Sequence, residues 1–180
     1  IPYTDRMDYL NTVGNNLVYS LAIEKLVDLD VPERAQVIRV VLAELQRIAS
    51  HLVWLATQSL DLAAQSIFLF CFREREAILD ILELVSGQRM MTTYIRPGGI
   101  WRDVPEEFYQ VVDDFVSSFP KRIAQYDGLL TKNPLYIDRT KKIGVISAED
   151  AVAWGLTGPT LRGSGVDYDL RKYQPYSGYE

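Results

Sequence analysis

Apolar residues recur at helical spacing through most of the first 130 positions. Between Asp5 and Asp28, Leu10, Val13, Leu17 and Leu21, with Val18 beside them, predict a first helix that Thr4 or Asp5 is placed to cap. A turn over residues 28–32 follows, with Pro32 suited to a first helical turn and Glu33 near the positive end of the next helix dipole. The second helix has the clearest pattern. Ile38, Val41, Leu42, Leu45, Ile48, Ala49, Leu52 and Leu55 make a broad stripe, while Glu33, Gln36, Glu44 and Arg47 mostly face elsewhere. A third helix runs from about Ile67 to Ser86, with Ile78, Leu79, Leu82 and Val85 inward and Gly87 placed to end it.

The period then changes. Arg96-Pro97-Gly98-Gly99 is a turn signal between short extended stretches. A fourth helix follows Pro105, with Phe108, Val111, Val112, Phe115, Val116 and Phe119 toward the core, and Pro120 is expected to kink or interrupt it before Ile123–Leu130. Asn133-Pro134 starts another short element, and Ser147-Ala148-Glu149-Asp150 reads as the capped start of a short helix through Trp154. The tail from Gly155 to Lys172 is rich in glycine and paired charges without an apolar period, and is expected to be loop. The fold class is therefore mainly α: a long antiparallel helical bundle with Gly-rich loop segments.

Composition narrows the function classes. The 180 residues are 48% hydrophobic and 24% charged, ordinary for a globular chain, and are expected to form the internal part of a single domain over 1–180. A net charge of −5 argues against a nucleic-acid partner. The lone Cys71 cannot form a disulfide framework or a Cys-rich metal site within these residues, so no metal ligand is expected. Ile48 to Phe72 comes nearest to a membrane span. His51, Thr57, Gln58, Ser59, Asp61, Gln65 and Ser66 make it too polar, and a buried helix broken after Asp61 fits better.

Three residue types stand out as candidate chemistry. Reflecting Tyr9 across a turn near residues 30 and 31 places it level with about residue 52 of the second helix. Thr57 lies one to two turns further on and Asp61 one more, with Trp54 on the same face. That spacing permits a phenol, a hydroxyl and a carboxylate at one end of the bundle. Asp61 before a helix break also suits a cap or a salt bridge. The solitary His51 reads as a structural group. Arg73 and Arg75 in Phe72-Arg73-Glu74-Arg75-Glu76 suit either a solvated helix face or anchors for buried ion pairs, with a structural role favoured.

Asp5-Arg6-Met7-Asp8-Tyr9, Phe72-Arg73-Glu74-Arg75-Glu76, Arg96-Pro97-Gly98-Gly99 and the segment from Gly155-Leu156-Thr157-Gly158-Pro159 through Pro175-Tyr176-Ser177-Gly178-Tyr179-Glu180 together closely resemble one family, the quinone-reducing D-type subunits of NADH-quinone oxidoreductase, respiratory complex I. That family is related to the large subunits of nickel-iron hydrogenases, so the resemblance implies a hydrogenase-large-subunit-like fold. It also implies quinone as substrate, with Tyr9 donating to the head group, Thr57 lining the pocket, and Asp61 linked to a histidine on a loop preceding these residues. A phenol and an imidazole suit a carbonyl that gains negative charge and protons as it is reduced.

No cofactor is expected on this fragment itself. The resemblance places the terminal iron-sulfur cluster in a neighbouring subunit of the B type, with the C type and a membrane-arm subunit as further partners. It implies peripheral attachment at the cytoplasmic face of a bacterial plasma membrane, or the matrix side of a mitochondrial inner membrane. One departure is Met90-Met91 after Gly87-Gln88-Arg89: many family members carry a histidine there, near that cluster, and methionine does not titrate. The runner-up is the large subunit of a membrane-associated nickel-iron hydrogenase, which shares the Gly-Leu-Thr-Gly-Pro echo. A non-catalytic helical scaffold fits the periodicity equally but leaves the glycine-rich tail unexplained.

Overall fold

The computed structural model describes residues 1–179. Two compact units divide the chain, Ile1–Asn133 and Pro134–Glu180. The larger is built on three helices: α1 (Thr12–Val27), α2 (Glu33–Asp61) and α3 (Gln65–Ser86). Next come a two-stranded antiparallel ribbon, β1 (Ile95–Arg96) with β2 (Gly99–Ile100), and α4 (Glu107–Tyr126). The smaller unit holds four short helices: α5 (Pro134–Thr140), α6 (Ala148–Ala153), α7 (Gly158–Gly163) and α8 (Leu170–Tyr173). The fold is mainly α, as the periodicity predicts.

The α2–α3 hairpin is the spine of the larger unit. At 1.5 Å per residue α2 spans about 43 Å. Its stripe buries Ile38, Leu42, Leu45, Ala49, Leu52 and Ala56 against Ile67, Cys71, Ile78, Leu82 and Val85 of α3. Alanines at 49 and 56, both fully buried, let the two backbones approach closely. Gly87 ends α3 in the left-handed conformation (φ 77°), donating its N–H to the Glu83 carbonyl at 2.7 Å, as expected of a C-terminal glycine. Phe108 and Phe115 of α4 complete the core, and the Tyr126 hydroxyl donates to the Phe70 carbonyl at 3.2 Å.

Three expectations are corrected. The first helix begins at Thr12, not Asp5; residues 4–6 form a 3-10 turn, and Asn11 rather than Thr4 or Asp5 occupies the N-cap. The face that α1 buries is largely polar, with Thr12, Asn16, Ser20 and Glu24 beside Val13 and Leu17, while Val18 is exposed. Of the kink or interruption expected at Pro120, the interruption is absent: α4 continues through it into a π-helical turn at Asp127–Thr131. Pro120 and Val116, the residue one turn before it, both lie on the solvent side, so the carbonyl that proline cannot bond remains open to water. Finally, the glycine-rich tail is not loop throughout. Pro159 enters the first turn of α7, and Asp169 caps α8 by accepting the Arg171 N–H at 3.0 Å.

Candidate functional site

The segment ahead of α1 is held by one carboxylate. Asp5 is fully buried and accepts from the Asn16 side-chain amide at 2.7 Å and the Thr93 hydroxyl at 2.5 Å. Thr4 in turn donates to the Asn16 side-chain oxygen. The 3-10 turn is thereby fastened to α1 and to the chain entering β1. Asp8 steadies the next step, its carboxylate accepting the Leu10 N–H at 3.1 Å and its carbonyl accepting from the Asn15 side chain at 2.9 Å. Tyr9 stands between these anchors, 61% exposed. Its hydroxyl makes no hydrogen bond among the described residues.

The register of the α1–α2 hairpin follows from Gln46, whose buried amide donates to the Leu10 carbonyl at 2.8 Å. Thr12 closes the same corner, donating its hydroxyl to the Met90 carbonyl at 2.6 Å. Leu10 therefore meets α2 nearer the turn than equal rise from Asp5 predicts, because the residues before Thr12 are not helical. Beyond Gln46, α2 continues past the start of α1. Thr57 lies about 16 Å and Asp61 about 22 Å further along it.

Trp54, Thr57 and Asp61 share one exposed face of this overhang. Thr57 donates its hydroxyl to the Val53 and Trp54 carbonyls, at 3.0 and 3.1 Å, and both lone pairs of its oxygen remain available. The Asp61 carboxylate has no hydrogen bond or ion pair among the described residues. The structure thus unites Thr57 with Asp61 on one face and forms no bond from Tyr9 to either. His51 is exposed on the same helix.

A second cluster escaped the sequence pattern. Arg39, fully buried in the α2 stripe, grips Glu24 of α1 through two bonds of 2.6 and 3.1 Å. The same guanidinium donates to the carbonyls of Arg96 (2.6 Å) and Gly99 (2.8 Å), and Glu24 accepts the Gly98 N–H at 2.8 Å. An arginine in register with Leu42, Gln46 and Ala49 was the available signal. The expected anchors on α3 behave differently. Arg73 is half exposed and, with Arg122, pairs with the buried Glu74 at 2.5 and 3.3 Å, tying α3 to α4. Arg75 lies over the Phe72 ring at 5.8 Å, and burial lowers its pKa.

The Arg96–Gly99 turn also borders a polar cleft of about 410 Å³. Arg6, Gln88, Met91, Thr92 and Trp101 line it, and the buried Thr92 hydroxyl has no partner there. Arg96 and Arg102 both stack on Trp101, at 5.6 and 5.0 Å. Cys71 sits elsewhere, wholly buried, its thiol pushed up to about 11 by burial. Among the described residues no group of three or more His, Cys, Asp or Glu side chains is placed to hold a metal ion. None of the described helices is long and apolar enough to cross a membrane.

Residues 61–180, from the end of α2 through α8, match the family described as the 49 kDa subunit of respiratory-chain NADH dehydrogenase. This chain belongs to that family. Its relatives agree along the whole sequence. The NADH-quinone oxidoreductase D-type subunit numbered 2 in Chloroflexus aurantiacus is 61% identical over 98% of this chain and 43% of its own length. The D-type subunit of Geotalea uraniireducens is 58% identical over 100% and 46%, and the one numbered 1 in Roseiflexus castenholzii 62% over 98% and 42%. The chain thus spans less than half the length of these relatives. The matched family is the NADH dehydrogenase branch of the resemblance, and Tyr9, Thr57 and Asp61 all fall within the stretch shared with the three relatives.

Proposed function

We propose that this chain forms part of the quinone-reducing subunit of a proton-translocating NADH-quinone oxidoreductase, active only in the assembled complex. The observation that carries the reading is the pairing of family membership with two open polar groups. The Tyr9 phenol and the Asp61 carboxylate are both exposed and both without a hydrogen bond among the described residues. Polar groups that the fold leaves unused are available to a ligand or to a neighbouring chain.

In this reading the quinone head group sits where residues of this chain meet a neighbouring subunit. Reduction to the quinol needs two electrons and two protons. An iron-sulfur cluster held by the B-type subunit supplies the electrons. Tyr9 donates a hydrogen bond to one carbonyl oxygen, and that bond strengthens as charge builds there. Asp61 orients and recharges an imidazole delivered by a preceding loop, and the Thr57 hydroxyl lines the pocket. The cleft with Arg6 and Met91 faces the cluster-bearing subunit, where methionine in place of an imidazole weakens the coupling between the cluster's potential and pH. The other partners are the C-type subunit and a membrane-arm subunit. The complex arm lies at the cytoplasmic face of a bacterial plasma membrane, or on the matrix side in a mitochondrion.

Tyr9→Phe in the assembled complex tests this. The ring and its packing survive while one donor is lost, so quinone reduction falls by roughly 10²–10³ when the bond is well aligned. NADH oxidation by an artificial acceptor upstream of the pocket stays near normal. Unchanged quinone turnover and affinity make Tyr9 a structural residue and overturn the assignment.

A further inference from the structure

An amide inside an apolar stripe costs free energy unless it is bonded, so a buried glutamine marks a specific partner. The polar side chains that α2 buries are Arg39, Gln46 and Ser59. Arg39 holds Glu24, and Ser59 bonds back onto its own helix at the Leu55 carbonyl, 2.6 Å away. Gln46, only 3% exposed, reaches off the helix instead, to the residue directly after Tyr9. Both backbone polar groups of Leu10 are thereby bonded by side chains, the N–H by the Asp8 carboxylate and the carbonyl by the Gln46 amide. The Gln46 side-chain oxygen lies 3.3 Å from the Thr12 hydroxyl, which donates to the Met90 carbonyl at 2.6 Å. The backbone beside Tyr9 is thus fixed from α2, while the Tyr9 phenol stays exposed and makes no hydrogen bond among the described residues.

A side chain left free to meet a ligand is placed through its backbone, and α2 is the helix that also carries Thr57 and Asp61. Asp8 ties Leu10 only to its own loop; Gln46 refers that loop to α2. We propose that Gln46 is a positioning residue for quinone reduction: its bond to the Leu10 carbonyl sets where the Tyr9 phenol stands relative to the face of Thr57 and Asp61. The inference rests on the reading of Tyr9 as the donor to quinone, and Gln46 itself touches no substrate. Misplacing a reacting group by about 1 Å can cost about 10²-fold in rate. Because the Tyr9 bond strengthens as charge builds on the carbonyl oxygen, the loss falls on kcat more than on KM.

The test is a double-mutant cycle in the full-length protein within its assembled complex, with a short-chain quinone as acceptor. Gln46→Met keeps the side chain's bulk and removes its donor. The kcat for quinone should fall by roughly 10–10²-fold, with KM changed less than about twofold and NADH oxidation by an artificial acceptor upstream unchanged. In a Tyr9→Phe background the same substitution should lower kcat by less than about twofold, because the bond it misplaces is already gone. Where Gln46→Met prevents assembly, Gln46→Asn is read instead; it keeps an amide but draws it back by one methylene, and the same non-additivity supports the proposal. A kcat indifferent to Gln46, an equal loss in both Tyr9 backgrounds, a loss confined to KM, or no assembly with either variant overturns it. Tyr9→Phe read alone separates the two claims. No effect there removes the site assignment and this inference with it, whereas a Tyr9→Phe loss beside an indifferent Gln46 removes this inference only.

Discussion

Glu24 and Arg39 form a fully enclosed bidentate pair that also carries the Arg96–Gly99 turn, so three separated stretches of chain share one electrostatic centre. Every carboxylate and guanidinium bond there is directed, and the turn's carbonyls satisfy the donors that Glu24 leaves over. Such a centre gives little net stability over an apolar replacement, but removing half of it is severe.

Arg39→Met should therefore destabilise the protein by about 3–5 kcal/mol, since it strands a buried carboxylate. Adding Glu24→Leu should recover much of that loss. Urea unfolding of the single and double variants measures both, and a single variant as stable as the parent contradicts the account.

Gly98 and Gly99 supply the turn's backbone. Gly98 follows Pro97 at φ 89°, as the third position of a type II turn requires, and Gly99 sits at φ 151°. A Cβ on Gly99 would stand 3.6 Å from the Ala35 Cβ, an ordinary contact, so the penalty of Gly99→Ala is conformational. It should cost on the order of 1–3 kcal/mol in thermal or denaturant unfolding.

Asp5 positions the loop that carries Tyr9. Asp5→Ala leaves the Asn16 amide and the Thr93 hydroxyl without their acceptor, at about 1–3 kcal/mol for each group left buried and unpaired. Amides of residues 4–10 should then exchange hydrogen faster, with α3 amides unchanged. Equal exchange across residues 4–10 in both proteins would remove Asp5 from this role.

Buried acids set the alkaline limit, the Tyr126 phenol among them, held well above the ordinary range chiefly by burial. Burial pushes the Cys71 thiol up from 9.0 to about 11 and the Tyr94 phenol from 10.0 to about 12. Both groups stay protonated in the fold after they ionise in the unfolded chain, so their contribution is intact below pH 9 and lost as pH rises through the folded values. The urea midpoint should hold steady up to about pH 9 and fall between 9 and 12. Cys71→Ala should flatten the earlier part of that fall.

The α2 and α3 helices were legible because each buries a wide apolar stripe that matches one period only. The start of α1 was not. Leu10 continues the apolar spacing backward from Val13, yet the buried seam is made by Thr12, Asn16, Ser20 and Glu24, and the partners of Thr12, Asn16 and Glu24 lie on other segments. Polar side chains advertise burial only through those partners, which a linear pattern does not contain. The shared face of Thr57 and Asp61 followed directly from their spacing of four. The register of Tyr9 did not, since it depends on seven residues of turn whose path is set by Asp5 and Gln46.

That polar seam makes α1 a keyed part. A purely apolar helix slid by one turn, about 5.4 Å, would find similar partners in its new place. The same slip here would separate Glu24 from Arg39, Asn16 from Asp5, and Thr12 from Met90 at once. One alignment satisfies all three, so the loop bearing Tyr9 arrives at a single height along α2 whenever α1 docks at all.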